Sequence, residues 1–233
     1  MAKALIFDVF GTVVDWRGSI TREVRRVAEE KNLRINPGRF ANEWRGGYAP
    51  AMDKVRRGEL PWLNIDSLHR MILDELIKKF KVESLSEADR VHLNHAWHRL
   101  KPWPDSVRGL RKLKQAFTIA PLSNGNFSLL NNMAKNVGLP WDCILSAELF
   151  GHYKPDPETY LGSASLLGLE PSEVMLCAAH KDDLLAAKEC GLKTAFIKRS
   201  REFAPSVSVD LSTDQRFDYN TESILDLASQ LAS

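Results

Sequence analysis

The chain has 233 residues, of which 44% are hydrophobic, and its formal net charge is +2. This length allows one large domain or two small ones, and the apolar content excludes a disordered chain. The near-neutral charge and the lack of a basic stripe with interleaved aromatic residues argue against a nucleic-acid partner. Short basic pairs such as Lys198-Arg199 are typical of solvated helix faces.

The cysteines and the start of the chain bear on its compartment. Cys143, Cys177 and Cys190 have no paired spacing, which indicates free thiols in a reducing environment. The start, Met1-Ala2-Lys3, leads directly into a short strand and leaves no room for a secretory apolar segment. No apolar run approaches membrane-spanning length. We therefore expect a cytoplasmic protein that does not associate with membranes.

Short β-type runs recur along the chain and, after the first, alternate with helical patterns. These runs cover residues 4–7, 118–122, 143–145, 174–178 and 194–197. Such alternation predicts βαβ crossovers and an α/β fold with a parallel sheet. Asp156-Pro157 predicts the start of one helix, and Gly191 predicts the end of another.

The segment from residue 16 to residue 100 departs from this alternation. It contains several amphipathic helical patterns and no convincing strand, and Lys101-Pro102-Trp103-Pro104 then ends the helical run. The sequence therefore predicts a core domain of residues 1–15 and 101–233, interrupted by a helical insertion of residues 16–100.

The first predicted strand ends in a single carboxylate, Asp8, which is followed by Phe10, Gly11 and Thr12. Open α/β sheets bind ligands at the carboxyl ends of their strands. A carboxylate in that place can act as a nucleophile and form an ester that water later cleaves. Asp8 is therefore the candidate nucleophile.

Polar groups also follow the next three predicted strands. In chain order they are Ser123-Asn124, Lys154 with Tyr160 six residues later, and His180 with Asp183. Four such groups in this order resemble the motifs of the haloacid dehalogenase superfamily. The resemblance spans most of the chain and implies a Rossmann-like core, a helical cap formed by residues 16–100, and a small-molecule substrate. Members of the superfamily are often dimers, so the resemblance also makes a homodimer possible.

Two positions distinguish between the enzymes of this superfamily. Its phosphatases place a second aspartate two residues after the nucleophile, to protonate the leaving oxygen, and here that residue is Phe10. They also place a magnesium-binding aspartate four residues before the later one, where this chain has Ala179. Halide leaves without a proton, and a hard cation needs several oxygen ligands. We therefore predict a dehalogenase of haloacetate and 2-halopropionate, with no metal and no cofactor.

The resemblance assigns roles around Asp8. Lys154 supplies the positive charge that keeps Asp8 ionised. Thr12 either steadies the Asp8 carboxylate or caps the turn. Ser123, together with the backbone amides after Asp8, either holds the substrate carboxylate or forms a local serine turn. Tyr160 matches a tyrosine of the family's active site and equally fits a packing role at the start of a helix.

The departing halide needs donors where its charge develops. Asn124 offers an amide group, and Arg45 aligns by position with the family's halide-binding arginine, although it also fits a solvated helix face. Phe10, Trp16 and Trp44 are candidates for an apolar halide pocket or for packing between the domains.

His180 marks the largest departure from the family pattern. Related dehalogenases have a serine and an asparagine where this chain has Ala178 and His180. An imidazole near its ordinary pKa can accept a proton from the hydrolytic water, with Asp183 orienting or charging it. The alternative is a histidine that only bonds its loop. For the whole chain, the alternatives are a magnesium-dependent phosphatase and a non-catalytic binding protein on the same fold.

Overall fold

The computed structural model describes residues 2–232. The chain divides into two compact units. The first, the core unit, comprises the chain up to Asp15 and from Lys101 onward, and the second, the helical unit, comprises Trp16–Leu100.

The strands all lie in the core unit. They are β1 (Ala4–Phe7), β2 (Val14–Asp15), β3 (Lys101–Pro102), β4 (Thr118–Ser123), β5 (Leu145–Ser146), β6 (Val174–Ala178), β7 (Lys193–Ile197) and β8 (Tyr219–Thr221). A six-stranded sheet has the order β5-β4-β1-β6-β7-β8, and every pair in it is parallel. Strands β2 and β3 form a short antiparallel pair. The predicted α/β fold with a parallel sheet is confirmed.

The helical unit contains α1 (Trp16–Glu30), α2 (Pro37–Gly46), α3 (Tyr48–Arg56), α4 (Ile65–Lys79) and α5 (Glu87–Asn94), followed by a 3₁₀ turn at His95–Arg99. The side chains of Trp16 and Trp44 are buried, and both rings pack on Trp97, with centroids 6.4 and 5.6 Å away. These large rings form the apolar centre of the helical unit.

The helices of the core unit lie between or after its strands. They are α6 (Ser106–Leu113), α7 (Phe127–Val137), α8 (Pro157–Leu166), α9 (Lys181–Glu189) and α10 (Ile224–Leu231). Asp156 is the N-cap of α8 with Pro157 in its first turn, and α9 ends just before Gly191, as the sequence predicted. Within residues 2–232, none of the helices has the length and apolar character needed to cross a bilayer.

Strand β1 lies at the centre of the sheet and is completely buried, which explains its uninterrupted apolar sequence. Its last residue, Phe7, pairs with Pro121 of β4 and with Cys177 of β6. This register brings the carboxyl ends of the three central strands to the same edge of the sheet. Any polar residue just beyond those ends is therefore placed near Asp8.

Some strand predictions were wrong in their limits. The run at residues 143–145 was predicted as a strand, but β5 starts only at Leu145, where pairing with Leu122 of β4 begins. Strands β2, β3 and β8 were not predicted. Each contains two or three residues, which is too short for a periodic pattern to be recognised.

A glycine contact between α6 and α10 provides a stability test. A Cβ atom on Gly109 would lie 2.5 Å from Ile224 Cγ2 and 2.8 Å from the Ile224 backbone carbon. Since backbone cannot move aside easily, we expect Gly109→Ala to lower the free energy of unfolding by about 1–3 kcal/mol. Gly46→Ala is the control, because a Cβ there meets no atom within 4 Å. It should be neutral or add up to about 1 kcal/mol. Urea unfolding of the two variants would contradict this packing if Gly109→Ala were the more stable.

Candidate active site

The candidate site lies at the carboxyl edge of the parallel sheet, where several loops leave the strands. Asp8 directly follows β1, His180 follows β6 as the N-cap of α9, and Asp183 lies in the first turn of that helix. Lys154 lies in the segment between β5 and α8. These four residues come from three separate parts of the sequence and meet because their strands belong to one parallel sheet, whose carboxyl ends lie at the same edge.

The Asp8 carboxylate is buried and surrounded by three donors. Thr12 Oγ1 donates to Oδ2 at 2.7 Å, and Lys154 Nζ donates to Oδ1 at 3.0 Å. His180 Nδ1 lies 3.2 Å from Oδ2. Burial alone would raise the pKa of Asp8, but Lys154, His180 and Thr12 hold it well below its usual range. Asp8 is therefore ionised throughout the neutral range, as a carboxylate nucleophile must be.

The direction of the Thr12 hydrogen bond is set by the backbone. The Ala179 N–H donates to Thr12 Oγ1 at 2.8 Å, which makes this oxygen an acceptor and turns its own proton toward Asp8. Of the two roles predicted for Thr12, its geometry matches the one that steadies the carboxylate.

Lys154 bridges two carboxylates. Besides Asp8, its Nζ donates to Asp183 Oδ2 at 2.5 Å. Although burial opposes it, the negative charges of Asp183 and Asp8 raise the pKa of Lys154 above its usual range, and the ammonium stays charged. The Lys154 ammonium is therefore a permanent positive charge between the carboxylates of Asp8 and Asp183.

Tyr160 completes the surroundings of Asp183. Its hydroxyl donates to Asp183 Oδ1 at 2.5 Å, and burial together with the Asp183 charge raises the pKa of Tyr160. The phenol therefore remains protonated as a donor. Both oxygens of Asp183 are engaged, one by Lys154 and one by Tyr160, so this carboxylate holds its neighbours in place.

His180 has partners that the sequence did not predict. We expected Asp183 to orient or charge it, but Asp183 bonds Lys154 and Tyr160 instead. The imidazole Nε2 lies 2.9 and 3.1 Å from the two carboxylate oxygens of Glu202. Although burial lowers the pKa of His180, the hydrogen bonds and charges of Asp8 and Glu202 raise it to about 10. The expectation of an imidazole near its ordinary pKa was therefore wrong for the protein without substrate.

Glu202 and Arg199 were both missed by the sequence analysis. Arg199, predicted as part of a solvated basic pair, is buried and bonds both oxygens of Asp105 at 2.8 and 2.9 Å. Its Nε also donates to the Thr12 carbonyl at 2.8 Å. The available signal was position, because both residues follow the β7 strand as the other site residues follow theirs.

Ser123, which ends β4, and Asn124, which follows it, both use their side chains within the loops. Ser123 Oγ accepts a hydrogen bond from the Gly125 N–H at 3.1 Å, which is the local serine turn, but this bond leaves the hydroxyl proton unused. The Asn124 side chain accepts from the Lys154 N–H at 2.6 Å and donates to the Lys154 carbonyl at 3.3 Å. It thereby positions the loop that carries Lys154.

Phe10 and Arg45 lie in different units. Phe10 is buried in the core unit beside Gly125. Arg45 belongs to the helical unit, where its guanidinium lies 4.3 Å from the Tyr48 ring centroid and 5.8 Å from that of Trp16. Its buried Nε has no hydrogen-bond partner among the residues that the structure describes. A guanidinium with a donor that no described residue uses can bind an anion.

The donor set of the site does not resemble a magnesium site. Phe10 and Ala179 occupy positions where carboxylates would be needed, and the Lys154 ammonium lies between Asp8 and Asp183. Across residues 2–232, no group of three or more His, Cys, Asp or Glu side chains is arranged to hold a metal ion. Hard divalent cations prefer several oxygen ligands, which these residues do not supply.

The fold and site are those of a protein of the α/β class with polar loops at the carboxyl edge of its parallel sheet. Residues 2–191 match the family model of haloacid dehalogenase-like hydrolases, and the chain belongs to this family. The family predicted from the four motifs is therefore confirmed.

Individual relatives within the family are 2-haloacid dehalogenases. The crystal structure of an L-2-haloacid dehalogenase matches this chain with a TM-score of 0.94 and 47% sequence identity. The match covers 99% of this chain and 100% of the other. That of a defluorinating L-2-haloacid dehalogenase is 44% identical, with a TM-score of 0.97 over 100% and 96% of the two chains. An (S)-2-haloacid dehalogenase of Burkholderia cepacia is 29% identical over 87% of this chain and 88% of its own.

Proposed function

We propose that this protein hydrolyses the carbon–halogen bond of short 2-halocarboxylic acids, such as haloacetate and 2-halopropionate, to give 2-hydroxy acids. The observation that carries the proposal is the buried, ionised Asp8 with Phe10 in place of an acid two residues later. This pair provides a nucleophile and no donor for an oxygen leaving group. The names of the relatives support the same substrate class.

In the first step, an Asp8 oxygen attacks C2 of the substrate from the side opposite the halogen. A carbon–oxygen ester bond forms, and the halide leaves with the electrons of the carbon–halogen bond. The halide needs no proton to leave. Lys154 and Thr12 hold the Asp8 carboxylate in one orientation, which favours attack by lowering the cost of ordering the reactants.

In the second step, water attacks the carbonyl carbon of the Asp8 ester. His180 is the base that accepts the proton, because its Nδ1 is the nitrogen directed at Asp8, while Asp183 is engaged by Lys154 and Tyr160. The bond between C2 and its new oxygen is not broken. The product 2-hydroxy acid is therefore inverted at C2 relative to the substrate.

Other residues bind the substrate and the halide. Ser123, through its unused hydroxyl proton, and the amides after Asp8 hold the substrate carboxylate. Asn124 in the core unit and Arg45 in the helical unit, whose Nε has no hydrogen-bond partner among the described residues, are the proposed halide donors, and Phe10 is the proposed apolar contact. Tyr160 acts through Asp183 as a positioning residue.

The remaining parts of the proposal concern organisation. Residues 16–100 form the helical unit to which the family resemblance assigns the role of a cap, and the proposed substrates are acids of two or three carbons. The cytoplasm is the proposed compartment, because the three cysteines, Cys143, Cys177 and Cys190, are free. A homodimer is proposed only from the family resemblance.

Halide release in the presence of a chelator tests the proposed function. We expect the wild-type protein to release halide from fluoro-, chloro- or bromoacetate or from a 2-chloropropionate in excess EDTA, since the site lacks the carboxylates of a magnesium site. It should hydrolyse p-nitrophenyl phosphate poorly, with or without magnesium. Halide is measured by ion chromatography, with a no-enzyme sample as the control. Magnesium-dependent phosphatase turnover faster than dehalogenation would contradict the proposal.

A further inference from the structure

The imidazole of His180 lies between two carboxylates from different loops. Its Nδ1 is 3.2 Å from Asp8 Oδ2, and its Nε2 is 2.9 Å from Glu202 Oε1. Glu202 follows β7, and only 3% of its side chain is exposed. Burying a carboxylate is costly unless it is paired, and here the partner is the histidine.

The loop after β1, which contains Gly11, leaves room for the Glu202 carboxylate. A Cβ on Gly11 would lie 2.1 Å from Glu202 Oε1, and Gly11 has a φ of +89°. Both the backbone conformation and the close approach therefore require glycine at this position. Gly11, part of the motif that contains the nucleophile, thus also makes room for Glu202.

The loop carrying Glu202 is tied to the loop carrying Thr12. The Glu202 N–H donates to the Arg199 carbonyl at 3.3 Å, and the Arg199 guanidinium bonds the Thr12 carbonyl and Asp105. Glu202 is therefore held by its backbone bond to Arg199 as well as by its side-chain bond to His180.

From this geometry, and resting on the proposed function, we infer that Glu202 is the positioning residue of the second step. It binds Nε2 of His180 and so directs Nδ1 at Asp8, and the covalent state of Asp8 then decides whether Nδ1 carries a proton. His180 is a cation beside the free Asp8 carboxylate and a base beside the Asp8 ester.

The surrounding charges explain this change of state. Asp8 and Glu202 face the imidazole directly, while Lys154 bonds the other oxygen of Asp8 and Asp183 lies beyond it. With both carboxylates charged, the pKa of His180 is raised to about 10. Esterification neutralises Asp8, so only Glu202 continues to favour the imidazolium, and the proton affinity of His180 falls.

Protons are conserved over one catalytic cycle. When the ester forms, the Nδ1 proton leaves for solvent, which the 29% exposed side chain of His180 reaches, and together with the released halide it makes up HX. Water then gives one proton to Nδ1 while its oxygen bonds to the Asp8 carbonyl carbon. As the ester carbon–oxygen bond breaks, the remaining water proton passes to the departing alkoxide. The cycle ends with ionised Asp8, protonated His180 and the 2-hydroxy acid.

Titration of His180 by NMR tests the inference without any substrate. Asp8→Asn mimics the loss of charge on esterification, and Glu202→Gln removes the other carboxylate at nearly constant shape. Each should lower the proton affinity of His180 by about tenfold or more, equal to one pKa unit. The matched control is Glu222→Gln, which removes an exposed carboxylate paired with Lys198 and should change nothing. An unchanged His180 titration in either test variant would overturn the inference.

Rapid-mixing kinetics with bromoacetate separates the two steps. In Glu202→Gln we expect the halide burst at close to the wild-type rate and ester hydrolysis slowed by about tenfold or more. In the pH–rate profile of ester hydrolysis, the acid limb, where the rate falls as pH decreases, should move to lower pH, because His180 holds its proton less tightly. A purely structural role would slow both steps and leave that limb in place, and this result would overturn the inference.

The two tests keep the inference distinct from the proposed function. If the wild-type protein releases no halide from any 2-haloacid, the proposed function fails, while the NMR titration still reports on the charge coupling of Asp8, His180 and Glu202. If halide is released but the titrations do not move, only the inference fails.

Discussion

Replacing Asp8 with asparagine is expected to abolish halide release while leaving the protein folded. The neutral amide is a far weaker nucleophile than the ionised carboxylate. The other carboxylate bonded to Lys154, Asp183, has both oxygens engaged by Lys154 and Tyr160. Loss of a covalent nucleophile costs on the order of 10⁶-fold in kcat in well-studied hydrolases. Folding should persist because Lys154 keeps its second partner, Asp183, in the variant.

Steady-state halide release and circular dichroism would measure the two halves of this expectation. Asp182→Asn is the matched control, since Asp182 is exposed on α9, close to Asp183 in sequence, and should retain full activity. Deamidation of the new asparagine would restore Asp8, so the intact mass is checked before and after the assay. Sustained turnover by a folded, undeamidated Asp8→Asn protein would rule out the covalent mechanism.

Replacing His180 with asparagine is expected to slow the second step and spare the first. Asp8 stays ionised through Lys154 and Thr12, so the ester still forms and releases one halide per enzyme. Without the base, hydrolysis of the ester should fall by about 10²–10⁴-fold. The expected record is a stoichiometric burst of halide followed by slow turnover, with the substrate acid found by mass spectrometry on the peptide that contains Asp8.

The pH dependence of the wild-type protein follows from the same residue. Only unprotonated His180 accepts a proton from water, so ester hydrolysis should decline as pH falls and the imidazole becomes charged. In His180→Asn this acid limb should be absent. His95→Asn, at an exposed residue that begins the 3₁₀ turn of the helical unit, is the control and should keep the wild-type profile. A His180→Asn protein with neither burst nor slowed turnover would show that this histidine only holds its loop.

The missed residues show where prediction from the sequence stopped. The motifs at Asp8, Ser123 and His180 were recognisable because each lies at or just beyond the end of a strong apolar strand, whereas Lys154 lies eight residues beyond the short strand β5. Glu202 and Arg199 also follow a strand, but the chain from there to β8 is irregular and has no pattern to indicate which side chains turn inward. A basic pair such as Lys198-Arg199 looks the same in sequence whether it is solvated or, as for Arg199, paired inside with Asp105.

Asp183 shows a different limit. Its presence near Asp8 was predicted, but the predicted partner, His180, was wrong, because Lys154, Tyr160 and His180 were all expected nearby. Which of them it bonds depends on differences of a few ångströms in side-chain placement. Lys154 and Tyr160 lie within hydrogen-bonding distance, and His180 turns instead to Glu202.

By itself, the sequence determined the α/β class, the helical segment at residues 16–100 and the loops that carry Asp8, Thr12, Lys154 and Asp183. Local periodicity and strand-end position specify these features, because a buried parallel strand must be apolar and its loop is where polar groups are tolerated. Only the tertiary structure decided the protonation state of His180. That state depends on two carboxylates, Asp8 and Glu202, which are 194 positions apart in the numbering and meet solely through the order of strands β1, β6 and β7. Charge coupling acts through space over a few ångströms, so it is set by the folded arrangement.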